Sequence, residues 1–126
     1  ALQRLISEEG KHLYVVTRKD EPKVISRSTS NSGQQAAYTY MSLAPEVKGR
    51  HMEPLLVDLE PKVDDERSVH EGEEFIHVLR GTVLLEIGDE HFEMHPGDSA
   101  YYLSTTPHLI AAREDKATIL AVIYSQ

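Results

Sequence analysis

The 126 residues include no cysteine. That absence excludes a disulfide framework, a thiolate metal site and a cysteine nucleophile, and it suits a reducing cytoplasm. Long apolar runs are missing too. No stretch approaches the roughly 18 residues of a membrane-crossing helix, and no basic-then-apolar leader opens the chain. Bases are scarce: Lys and Arg number 13 against 21 Asp and Glu, for a formal charge of −8. A domain this acidic repels phosphates over most of its surface, so these residues are not expected to touch DNA themselves. What is present suffices for one domain. Hydrophobic residues make up 40%, which argues against disorder as the dominant state. The chain starts at Ala1 rather than Met, and we expect it to be part of something longer.

Patterning points to an all-β fold. Leu2, Leu5 and Ile6 are spaced for a short N-terminal helical turn, making residues 1–12 a linker and 13–126 the domain. The β-branched and aromatic stretch Leu13 to Thr17 reads as a strand. The polar tract Ser26 to Gln35 reads as a mobile loop. Ala36 to Leu43 alternates with period two, and Leu55 to Leu59 is a second apolar run closed by Pro61. Short strands then follow at Phe75 to Leu79, Thr82 to Ile87, His91 to Met94, Ser99 to Leu103, Leu109 to Ala112 and Ala117 to Tyr124. Turn signals separate them at Gly81, Gly88-Asp89, Pro96-Gly97-Asp98, Thr106-Pro107 and Glu114-Asp115. Evenly spaced short strands without intervening amphipathic helices predict an antiparallel sandwich or barrel. The pattern leaves no place for the two adjacent helices of a helix-turn-helix.

Charge is concentrated. Nine acids lie between Glu53 and Glu74, against Lys62 and Arg67 alone. Most of them read as a solvated loop, Asp64-Asp65-Glu66 above all. His70 and Glu74 differ. Four residues apart on an extended chain, they point to one face, which continues through the apolar Ile76 and Val78. A carboxylate on an apolar face must be paired, protonated or bound to metal. His77 falls on the opposite face. His51, His91 and His95 read as surface residues, and His12 has no partner. Met41, Tyr101 and Leu103 read as core or pocket wall. No Ser-His-Asp order, glycine-rich phosphate loop or catalytic carboxylate pair stands out.

The stretch His70-Glu71-Gly72-Glu73-Glu74-Phe75-Ile76-His77-Val78-Leu79-Arg80-Gly81 resembles the first motif of the cupin superfamily, His-x-His, three or four residues, Glu, six residues, Gly. Gly97 and His108 stand at the right separation for the first glycine and the histidine of the second motif. The resemblance implies a small antiparallel jelly-roll barrel and three metal ligands, His70, Glu74 and His108, where a full site has four. The departures are specific. Ser68 occupies the place of the first histidine and Lys62 that of the leading glycine. Leu103, Thr105 and Ala112 replace the Pro, Gly and Asn of the second motif. Two histidines and a carboxylate form a facial triad suited to Fe(II), and the set also suits Zn, Mn or Ni. A metal-free pocket, its three side chains hydrogen-bonded together, is the alternative. Ser68, Tyr101, Leu103 and Met41 are assigned to the ligand pocket.

A narrower resemblance rests on Arg50-His51-Met52-Glu53-Pro54-Leu55-Leu56-Val57, on the Glu-Glu-Phe cluster, on Gly97-Asp98-Ser99-Ala100-Tyr101-Tyr102 and on Pro107-His108. It is to the C-terminal sensor cupin of bacterial regulators with an N-terminal phage-repressor-type helix-turn-helix. It implies a cytoplasmic, homodimeric domain that binds a small-molecule effector and reaches DNA only through a domain outside this chain, without contact with a membrane. A mononuclear iron cupin enzyme of the epoxidase or dioxygenase type is the alternative reading. An inert storage cupin is the third. Dimerisation is expected through an edge strand, Leu13 to Thr17 or Ala36 to Leu43.

Overall fold

A computed structural model describes residues 5–6, 12–21, 24–29 and 36–125. All regular structure in them is β: β1 (Leu5–Ile6), β2 (His12–Tyr14), β3 (Ser26–Thr29), β4 (Ala36–Ser42), β5 (Met52–Leu59), β6 (Glu73–Arg80), β7 (Val83–Ile87), β8 (Glu90–Met94), β9 (Ser99–Leu103), β10 (His108–Ala112) and β11 (Ala117–Tyr124). Every pairing between named strands is antiparallel. A six-stranded sheet runs β3-β4-β5-β11-β6-β9, a three-stranded sheet runs β10-β7-β8, and β1 pairs with β2. The two larger sheets form the jelly roll.

Alternation explains why the sheets enclose a core. Successive side chains of a strand point to opposite faces, so β5 buries Leu55, Val57 and Leu59 while Asp58 faces water. On β6 the inward pair is Ile76 and Val78, on β11 Ala117, Ile119 and Ala121, and on β7 Val83 and Leu85. Tyr38 and Tyr40 of β4 pack against this cluster. Two glycines permit close turns. Gly81 has φ of +79°, and a Cβ there would stand 2.7 Å from the Lys116 carbonyl oxygen; Gly72 has φ of +111°, with 2.1 Å to that of Tyr124. Neither place has room for a side chain. Among the described residues no helix is long and apolar enough to cross a membrane.

The structure departs from the sequence expectations at four places. Leu5–Ile6 is a strand paired with β2, not part of a helical turn. One or two turns lack the length to sustain a helix alone, whereas pairing satisfies the backbone at once. The rest of residues 1–4 and 7–11 lies outside the described residues. Ser26–Thr29 is likewise β3, paired with β4, because a ladder forms from backbone groups and tolerates polar side chains at a sheet margin. The remainder of the expected loop, 30–35, is outside the described residues. The strand expected over Leu13 to Thr17 is shorter, His12–Tyr14. Finally, β4 is flanked by β3 and β5, so Ala36 to Leu43 is no exposed edge.

Candidate metal centre

The acidic segment between β5 and β6 is strapped to the three-stranded sheet. Pro61 bridges Ala112 and Ser68 bridges His108. The Ser68 amide donates to the His108 carbonyl at 2.8 Å, and the His108 amide returns the bond at 3.1 Å. Arg67 reaches across, donating to Glu86 at 2.5 Å and to the Gly88 carbonyl at 3.1 Å. Glu86 is 8% exposed, so part of the segment expected to be solvated is anchored by a sheltered ion pair. Two further bonds bring the chain onto β6. The His70 amide donates to the Ser104 carbonyl at 3.0 Å and the Ser104 amide to that of Gly72 at 2.9 Å.

This path delivers His70 beside Glu74 on β6 and His108 on β10. His70 Nε2 lies 2.8 Å from Glu74 Oε2, and His108 Nε2 lies 3.1 Å from the same oxygen. Candidate ligand atoms of the three residues all fall within 4.8 Å of one another. The rings stand edge to face with centroids 5.4 Å apart. His108 is buried, while the His70 side chain is 43% exposed and opens the site to solvent.

Hydrogen bonds orient every ligand. His70 Nδ1 lies 3.1 Å from the Glu71 carbonyl oxygen, and His108 Nδ1 lies 2.8 Å from that of Thr106. A carbonyl oxygen only accepts, so each Nδ1 carries the donated proton and each Nε2 faces Glu74. Tyr102 donates to Glu74 Oε1 at 2.9 Å and Ser104 to Oε2 at 3.1 Å. Two imidazole lone pairs aimed at one carboxylate oxygen repel unless a cation lies among them, either a proton or a metal ion. The separations of 2.8 and 3.1 Å are those of N–H···O hydrogen bonds, and ligands at right angles on bonds of about 2.1 Å would stand about 3.0 Å apart, so the spacing suits a proton and an ion alike. The anchoring of imidazole Nδ1 to carbonyls is the outer-shell pattern that fixes ligand orientation.

Without an ion the electrostatics favour a shared proton. Burial works against the Glu74 carboxylate, yet hydrogen bonding and charge from His108, with the Tyr102 and Ser104 hydroxyls, hold it below the usual range. Burial also opposes the His108 cation, but Glu74 and the Thr106 carbonyl more than offset it and raise the imidazole. Burial and then the Glu74 charge push the Tyr102 hydroxyl far up, keeping it a donor.

A cavity of about 280 Å³ adjoins the triad. Ser68 lines it. Tyr101 and Leu103 do not: they project from the opposite face of β9, 63% and 55% exposed. The register pairs Glu74 with Tyr102, so the neighbours of the assigned residues, one step along the strand, face inward. Met41 pairs with Leu56 on the outer side of β5 and is absent from the cavity wall. The residues missed were Tyr102 and Ser104. Within β9, the parity of Ala100 reaches Tyr102; Ser104 lies in the turn beyond the strand and has no such signal. Of the other histidines, His77 faces away and meets Ser99 Oγ at 2.6 Å, while His51, His91 and His95 are exposed. The side chain of His12 is outside the described residues.

A family model for the cupin domain matches residues 55–124. This chain belongs to the cupin family. The match takes in all three triad residues and most of the cavity wall. No curated protein sequence matches this cupin significantly. Among solved structures, one of Fe(II)-HppE with the alternative substrate (S)-1-HPP superimposes with a TM-score of 0.74 at 22% identity over 96% of this chain and 63% of that one. The hydroxypropylphosphonic acid epoxidase from S. wedmorenis gives 0.70 at 22% identity, with coverage of 96% and 62%. Co(II)-HppE in complex with substrate gives 0.60 at 29% identity over 69% and 52%. The cupin thus spans about 63% of the length of the first of these chains.

Proposed function

We propose that this cupin domain is a metal-dependent sensor of a small-molecule effector, the ligand-binding part of a cytoplasmic bacterial transcriptional regulator. The observation that carries the metal reading is the convergence of His70 Nε2 and His108 Nε2 on one oxygen of Glu74. His70, Glu74 and His108 would hold the ion. Bound there, a divalent cation supplies Lewis acidity and exchangeable positions for a chelating ligand. The protein's own groups set the geometry. Thr106 and Glu71 carbonyls hold the rings through Nδ1, Tyr102 and Ser104 hold the carboxylate, and Ser68, where the cupin motif has a histidine, would supply no fourth imidazole. Effector binding then shifts a population between protomer arrangements, to the extent that the ligand prefers one of them.

A second reading, an iron-dependent oxidoreductase, draws on the same triad and on the likeness to Fe(II)-HppE. The metal centre is tested first, and the two readings are then separated. Metal analysis of purified protein, followed by EDTA stripping and thermal-shift assays with Fe(II), Mn(II), Ni(II) and Zn(II), should show a stoichiometric ion and a raised melting temperature. Neither metal nor any shift would end the metal reading. Effector-dependent DNA binding by the full-length gene product supports the regulator, whereas iron-dependent oxygen uptake with small acids supports the enzyme.

A further inference from the structure

The chemistry of the cavity wall narrows the ligand class. Beyond the triad the wall is built from inward side chains of the six-stranded sheet, among them Leu59, Ile76, Ile119 and Ala121. All four are buried. Two bases reach the rim, Lys62 and Arg67. Both are committed. Lys62 Nζ lies 2.7 Å from Asp65, and Arg67 is held by Glu86 and the Gly88 carbonyl. The same rim carries Glu60, Asp64 and Glu66. Among the described residues lining the cavity, no uncommitted cation faces its interior.

We propose that the ligand is a small monoanionic acid: one chelating head on the ion, and an uncharged aliphatic tail in the cavity. The proposal deepens the metal-site reading above and rests on it. A second anionic group would be buried without a partner and beside acids, which is strongly unfavourable. An alkyl tail gains instead, by about fourfold in affinity for each buried methylene, or about 0.8 kcal/mol. Size sets the limit. At about 30 Å³ for each water-sized group, 280 Å³ admits about nine non-hydrogen atoms, the size of a six-carbon 2-oxo acid.

The test is calorimetry on the intact domain. Ni(II) is titrated first into EDTA-stripped protein. The Ni(II)-loaded protein then receives pyruvate, 2-oxobutanoate, 2-oxopentanoate, 2-oxohexanoate and 2-oxooctanoate, with 2-oxoglutarate as the dianionic probe. Affinity is expected to rise about three- to fourfold per methylene up to 2-oxohexanoate and to fall at 2-oxooctanoate. Binding of 2-oxoglutarate should be at least about tenfold weaker than that of 2-oxopentanoate. Failure to take up Ni(II) overturns the metal centre and this proposal with it. Uptake followed by no binding, by a flat series or by a preference for 2-oxoglutarate overturns the proposal alone.

Discussion

Ser104 shows how much of this site is controlled by a residue that carries no charge. Its side chain is fully buried and donates to the Glu74 oxygen that both histidines face. Removing such an outer-shell donor typically lowers metal affinity 10- to 100-fold, while a single lost hydrogen bond costs about 1 kcal/mol of stability. Ser104→Ala is therefore expected to fold and to bind Ni(II) about 10- to 100-fold more weakly. Calorimetry and urea denaturation measure the two effects, and unchanged affinity would remove Ser104 from the centre. A second prediction concerns pH in the metal-free protein. The Glu74 carboxyl is lowered in the folded state, so its contribution is present above its ordinary value of 4.5 and is lost as pH falls through the folded value. The His108 imidazole is raised, so its contribution is full below 6.5 and is lost as pH rises through the folded value. The melting temperature of EDTA-treated protein should thus be highest between about pH 4.5 and 6.5. Glu74→Gln should flatten that profile. Metal affinity should move the other way on the alkaline side, rising as His108 gives up its proton.

At the scale of elements, glycines at positive φ separate two costs. Gly97 has φ of +96° with nothing within 4 Å of a would-be Cβ, whereas at Gly72 the Tyr124 carbonyl stands 2.1 Å away. Gly97→Ala should cost only backbone strain, about 1–2 kcal/mol. Gly72→Ala adds a clash with the Tyr124 carbonyl at the end of β11 and should cost clearly more. Denaturant unfolding of both variants tests this, and equal losses would contradict the packing described. The same scale shows what was legible in the chain. The strands Ser99–Leu103 and Ala117–Tyr124 have the bounds expected from turn signals and patterning. The triad was readable because the spacing of His70, Glu74 and His108 resembles the cupin motifs; strand parity reaches only Glu74, since a bend at Glu71 and Gly72 separates His70 from β6. The pocket was not, because Tyr101 and Tyr102 look alike in sequence and only the pairing of Glu74 with Tyr102 decides which ring faces inward.

For the whole molecule, an outer face stands beside the edges as a candidate dimer surface, since of the two expected edges Ala36 to Leu43 is internal. Tyr101, Leu103 and Leu79 are 63%, 55% and 42% exposed on the outer side of β9 and β6, beside the half-buried Phe75. In a chain of net charge −8, this face is mostly apolar, with Glu73 beside Leu103 as its acid, and single domains seldom leave such patches uncovered. We predict a two-fold dimer through this face. Light scattering with size exclusion should report a dimer for the wild type and a monomer for the Tyr101→Lys, Leu103→Lys double variant with an unchanged circular dichroism spectrum. A monomeric wild type, or a variant that stays dimeric, would refute it.

The sequence by itself determined the all-β character, most strand positions and the three candidate ligands, because alternation, turn residues and motif spacing are local properties of the chain. Its acidity gathers in a strapped segment that presents His70. Tertiary structure alone decided the rest. Sheet order made β4 internal, the β6–β9 register put Tyr102 rather than Tyr101 on the site side, and packing of distant strands enclosed an apolar cavity beside the triad. Those outcomes depend on pairings between residues far apart in the chain, and such pairings leave no local signature.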